Sequence, residues 1–320
     1  MTSPAPNAIF TQAELSNSHW YMGHLMSILV DGGDTGGAYT FTTNIQRKGF
    51  EPPPHIHSKE HELFYHFDGE FEYSGGKDKF HAKAGSTVFL PKDVAHQFQI
   101  LSDQSRMIIL LTPSGFDQFF LAHSRPAEHL DTPPDPSEPV NIPQMIQMAT
   151  EFGCSFLQPG QVPADVAMPG GALKPVHQAA GAGEKLKVVG MEMTVKINGD
   201  DSGGAFTFVE VVLPPGTGAP FHSLGLRDEA IYVLEGELTV RAGDETRTVS
   251  SHKLAYMPRG VPFGYFNNGL SNVKMLLLIT PGHFEEFFRE IASAVAPTPG
   301  QIGEISAKHG VTILGPPPIT

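Results

Sequence analysis

The chain repeats itself. Adding 167 to any position from Gly23 to His96 reaches its counterpart between Gly190 and Phe263 without a gap. Gly36-Gly37-Ala38-Tyr39-Thr40-Phe41 meets Gly203-Gly204-Ala205-Phe206-Thr207-Phe208, Gly69-Glu70 meets Gly236-Glu237, and Pro91 meets Pro258. After one inserted residue the match resumes with Thr112-Pro113 against Thr280-Pro281 and Phe119-Phe120 against Phe287-Phe288. Self-similarity on this scale means a duplicated unit. A chain of 320 residues then divides into two domains of ordinary size, each able to bury its own core. The boundary is expected near residue 155, giving domains 1–155 and 156–320. It lies beyond the Pro-rich, linker-like segment Ser124–Pro139 and a helical tail at Ile142–Phe152.

Runs such as Ser86-Thr87-Val88-Phe89-Leu90, Ala230-Ile231-Tyr232-Val233-Leu234 and Met275-Leu276-Leu277-Leu278-Ile279 are short, β-branched or aromatic, and bounded by turn residues. They read as strands. Many such strands between Gly- and Pro-rich turns predict an all-β chain of two tandem double-sheet barrels. Helix is expected only at the edges: Phe116–His123 and Phe284–Val295 are amphipathic, and Ile142–Phe152 is echoed by Ile302–His309. The stretch Gln158–Lys185, rich in Gly, Ala and Pro, is expected to cross the surface between barrels.

A net charge of −13 without a basic cluster argues against nucleic acid and anionic membrane, and neither is expected as a partner. One cysteine, Cys154, permits no intramolecular disulfide. Residues 1–10 lack the basic start and apolar core of a signal peptide, and no apolar run reaches membrane-spanning length. A cytoplasmic protein is expected.

The first repeat carries metal-ligand chemistry. His55 and His57, two apart on one strand, point to the same face. Glu62 opens the next apolar run, and His96 follows the turn Pro91-Lys92-Asp93-Val94-Ala95. Three imidazoles and a carboxylate suit one divalent transition metal per chain: iron, manganese, nickel, cobalt or copper, with zinc admissible. Alternation from Glu62 turns Phe64 and His66 inward, and alternation from His96 does the same for Phe98 and Ile100, so these four are the expected substrate contacts. His61 is expected to face away unless the turn bends it in, and Lys59 and Glu60 to be solvated. In the second repeat His222 and Glu229 persist, but Leu224 and Phe263 stand where His57 and His96 would be. Two donors are too few for a stable ion. That half is expected to be structural or an interface, or else to hold a metal-independent pocket around His222, Glu229 and Arg227.

The spacing Gly49, His55-Ile56-His57, Glu62, Gly69, followed by Gly85, Pro91 and His96, resembles the two-part motif of the cupin superfamily. Asp93 stands where that family usually has glycine. The duplication, with His55-Ile56-His57-Ser58-Lys59-Glu60-His61-Glu62, resembles the quercetin 2,3-dioxygenases and related bicupins. This resemblance implies jelly-roll barrels and a dioxygenase that opens a flavonol-like or other enolic or phenolic aromatic with dioxygen, releasing carbon monoxide from flavonols. Glu62 would be ligand, general base, or both. The partners would be a small aromatic substrate and dioxygen, in a monomer or homodimer. Two alternatives stay open: a non-oxidative isomerase, lyase or cyclase using the ion as a Lewis acid, and a cupin that binds a small ligand without turnover.

Overall fold

In the computed structural model, residues 7–134, 142–294 and 298–319 are described. Residues 135–139 of the expected linker, and Val295 at the end of one expected helix, lie outside them.

The backbone is built from antiparallel strands that sort into four sheets, two in each of two compact units. In the N-terminal unit an eight-stranded sheet runs in the order Ser124–Pro126, Ser18–Tyr21, His24–Val30, Thr40–Arg47, Gln104–Thr112, His61–His66, Thr87–Leu90, Val176–Gln178. A five-stranded sheet completes it: Cys154–Phe156, His55–His57, His96–Ile100, Glu70–Gly75, Asp78–Lys83. The C-terminal unit repeats the plan with sheets of seven and five strands. Alternation is clearest in the smaller sheet, where Phe71, Tyr73, Phe98 and Ile100 are buried while Glu72 and Gln99 are exposed. Middle strands of the larger sheet are buried on both faces, as in Leu63–His66 and Met107–Thr112, which explains their unbroken apolar runs. Phe64, Phe71, Val88, Leu90, Met107 and Leu111 form the heart of this core.

The domain boundary differs from the expected one. One unit comprises Ala13–Ala182, and the other runs from Gly183 onwards and includes the strand Ile9–Gln12. The expected domains 1–155 and 156–320 are corrected accordingly. The reason is a pair of equivalent arms. Ile9 pairs with Tyr256 at the edge of the C-terminal sheet, and Val176 pairs with Phe89 at the edge of the N-terminal sheet. These contacts obey the same offset of 167. Each arm supplies the outer strand of the sheet belonging to the other repeat, covering an edge that would otherwise present unpaired backbone groups. So the stretch expected to run between barrels contains an edge strand. Ser124–Pro126, expected as linker, likewise pairs with His19–Tyr21.

Helices fall at Asp117–Ala122, Ile142–Glu151, Glu285–Ser293 and Pro299–Lys308. The last begins three residues before its expected start because Thr298 caps it, its hydroxyl accepting from the Gln301 N–H, with Pro299 at the first turn. Gly300 and Gly303 hide that turn from sequence reading. No helix among the described residues is long and apolar enough to cross a membrane.

Candidate metal centre

His55 and His57 project from one short strand whose burial runs buried, intermediate, buried. The Pro52-Pro53-Pro54 run leading into it has fixed φ, and the Pro53 carbonyl accepts from His55 Nδ1 at 2.8 Å. Glu62 is the second residue of its strand, and His96, the first of its own, pairs in register with His55. The turn before His96 is tied to the same place, since the Asp93 N–H donates to the His57 carbonyl at 2.7 Å. Asp93 has φ +64°, the left-handed region that favours glycine, and its counterpart is Gly260 at φ +81°.

These elements bring one donor atom from each of His55, His57, Glu62 and His96 within 4.8 Å of one another, all four residues buried. Among the described residues this is the one such cluster. His96 Nε2 lies 3.0 Å from Glu62 Oε2, and His57 Nε2 lies 3.7 Å from Glu62 Oε1. Backbone carbonyls take the Nδ1–H of His55 and of His96, at 2.8 Å each. In the neutral rings Nε2 is therefore a bare acceptor, and the two Nε2 atoms face each other across 3.1 Å. Opposed lone pairs repel unless a cation sits between them, so the donor set fits a metal. The carbonyls fix the tautomer and aim of each ring, as outer partners do for metal-bound histidines.

Burial, with the neighbouring His96 and His57, holds His55 well below its ordinary pKa, and burial lowers His57 to about 4. Burial works to raise the Glu62 carboxyl, but the neighbouring His57, His96 and His55 outweigh it and hold it at about 2. At neutral pH His55 and His57 are thus uncharged and Glu62 is ionised, the protonation states a divalent metal requires of them.

A cavity of about 90 Å³ adjoins the cluster. Phe64 and Phe98 line it, together with Phe116 and Phe119. The other two expected substrate contacts are corrected. His66 is fully buried with both ring nitrogens engaged, Nδ1 with the Ser86 carbonyl and Nε2 with the Tyr73 hydroxyl, and Ile100 packs in the core. Strict alternation turns both inward, but they meet packed side chains there, not the cavity. His61 does face away, its Nδ1 accepting from the Lys92 N–H. Glu60, expected in solvent, is 3% exposed with Oε2 3.9 Å from His57 Nδ1. Burial pushes its carboxyl up to about 7.

Polar cavity residues that sequence reading missed are His24, Asn44 and Gln46. His24 Nε2–H donates to the Phe50 carbonyl while Nδ1 accepts from the Arg47 N–H, and burial lowers the ring to about 4. A signal existed. The repeat places Met191, Val211 and Leu213 at the equivalent positions, so three polar residues stand where the same fold otherwise takes apolar ones.

Residues 41–113 and 209–279 each match the family described as Cupin domain. The chain is 22% identical over 272 residues to quercetin 2,3-dioxygenase of Bacillus subtilis (strain 168), covering 83% of this chain and 80% of that protein. A mutant of Bacillus subtilis oxalate decarboxylase superposes with a TM-score of 0.57 at 13% identity, over 98% of this chain and 90% of that one. The coconut allergen cocosin has a TM-score of 0.57 at 9% identity, over 87% of this chain and 86% of its own. Enzymes and an allergen share the fold, so the side chains have to carry the functional argument.

Proposed function

The chain is a bicupin, and from that premise we propose that it is a metal-dependent dioxygenase acting on a flavonol-like or other enolic or phenolic aromatic. The observation that carries this reading is the buried cluster of His55, His57, Glu62 and His96 beside a cavity walled by Phe64, Phe98, Phe116 and Phe119. The likeness to a quercetin 2,3-dioxygenase supports it. When bound, the metal would supply a Lewis-acidic site that lowers the pKa of a coordinating hydroxyl and brings it together with dioxygen.

The remaining tasks fall to the chain. His55, His57 and His96 hold the ion as neutral donors, two of them locked by their carbonyl partners. Glu62, ionised and within the cluster, takes the hydroxyl proton as the substrate oxygen arrives. The aromatic wall stacks against a flat substrate and excludes water, which strengthens every charge interaction inside. Asn44 and Gln46 bring amide groups to the same cavity and orient the substrate's oxygens.

The test is oxygen uptake with carbon monoxide detection by the protein reconstituted separately with iron, manganese, cobalt, nickel and copper, using a flavonol. Uptake matched by carbon monoxide release is expected with at least one metal. Conversion of the flavonol without oxygen uptake would assign the centre to proton-transfer chemistry. Metal binding without any conversion of a flavonol or simpler phenol would leave a binding cupin.

A further inference from the structure

The C-terminal barrel keeps a cavity where the N-terminal barrel keeps its donor cluster. It holds about 320 Å³, and Met193, Phe284 and Phe288 are typical of its walls. Among the described residues, polar side-chain groups reach its lining only from His222, Glu229, Tyr265 and Ser306. Arg227 does not line it: the guanidinium donates to the His309 carbonyl and lies over the Phe284 ring.

The hydrogen-bonding sense of two of these groups is fixed by their surroundings. His222 Nδ1–H donates to the Pro220 carbonyl at 2.7 Å, so Nε2 of the neutral ring is an acceptor. Burial lowers this ring's pKa, which keeps it neutral. Glu229 is 4% exposed, and its Oε1 has no hydrogen-bond partner among the described residues. Burial raises this carboxyl to about 8, so it carries its proton at neutral pH and acts as a donor. A buried polar atom left without a partner is costly, and a cavity beside it is where a partner fits.

The ring acceptor and the acid donor, in an otherwise apolar cavity that also shows the Tyr265 and Ser306 hydroxyls, match a hydroxyl group, which gives its hydrogen to the ring nitrogen and takes one from the acid. An ion would find no opposite charge in these walls to offset its desolvation. We propose that the C-terminal barrel is a metal-independent binding site for a neutral, largely apolar molecule bearing a hydroxyl group, held by His222 and Glu229. It stands apart from the metal chemistry of the other barrel and does not depend on it.

The test is calorimetric titration of the full-length, metal-loaded chain with 2-naphthol, and with 2-methoxynaphthalene, which accepts a hydrogen bond but cannot donate one. The naphthol is expected to bind about tenfold or more tightly than the ether. Glu229→Leu is expected to weaken the naphthol by a similar factor, whereas Glu229→Gln, whose amide also donates, keeps it within about threefold. Metal content stays unchanged in both variants. Failure of 2-naphthol to bind at millimolar concentration, equal affinity for the ether, or an unaltered isotherm in Glu229→Leu would each overturn the assignment.

Discussion

The two barrels share strand order and offset, yet they part at the donor cluster. In the N-terminal barrel the rings of His55 and His96 have centroids 4.4 Å apart, and in the C-terminal barrel His222 and Phe263 take the same spacing of 4.4 Å. Ring replaces ring, Leu224 replaces His57 at full burial, and neither exchange disturbs the strands. Around them His24, Asn44 and Gln46 give way to Met191, Val211 and Leu213. The pairing of sheets and the packed core between them define the fold, and the four-donor cluster stands in one copy of it. Space changes in the opposite sense from polarity, about 90 Å³ beside the donors and about 320 Å³ where they are lost.

The strongest way to break this contrast is to remove a donor from the four-donor side. His96→Ala removes a ligand and is expected to lower metal affinity by more than about 100-fold, taking metal from about one per chain to near zero by elemental analysis. Unchanged stoichiometry would rule out the proposed centre. The reverse graft, Leu224→His with Phe263→His, restores the full donor set and is expected to raise metal to about two per chain. A value that stays at one would mean that donor identity alone does not make the second site.

A third comparison concerns the paired glutamates, one held low and the other high. Glu229 sits at about 8 against an ordinary 4.5. Between these values the folded protein keeps a proton that the unfolded chain has lost, so stability falls as pH rises through that window and levels off above it. Glu229→Gln removes the effect. The stability of the variant relative to the parent should climb by on the order of 4 kcal/mol from about pH 5 to pH 8 in denaturant unfolding. A difference flat with pH would show that Glu229 is not a buried acid. The smallest effect concerns the turn. Asp93→Gly copies Gly260 into the N-terminal barrel at a left-handed position and should change stability by no more than about 1 kcal/mol, without altering metal content. Loss of metal would give the Asp93 side chain a part in the site.

Much of this was legible in the sequence because duplication supplies an internal control. The offset between repeats located equivalent strands, and the four donors stood out once His57 and His96 were set against Leu224 and Phe263. What escaped was governed by packing in three dimensions. Alternation gave the direction of His66 and Ile100 but not that Tyr73 and the core meet them before the cavity does. Glu60 reads as a turn charge, yet the fold buries it beside His57. The domain boundary failed for a related reason, since pairing of Ile9–Gln12 with Lys253–Met257 is a contact between distant parts of the chain that no local pattern announces.

That last pairing also has a consequence for the protein's birth. Ile9–Gln12 leaves the ribosome about 240 residues ahead of the strand it must join, a delay on the order of 10 to 50 seconds at ordinary rates of synthesis. During that interval the segment Ile9-Phe10-Thr11-Gln12 waits as an unmatched strand. The other arm does not wait, because Thr87–Leu90 already exists when Val176–Gln178 emerges. The N-terminal barrel can therefore close while the second repeat is still being made, whereas the C-terminal barrel needs an arm made before the first repeat.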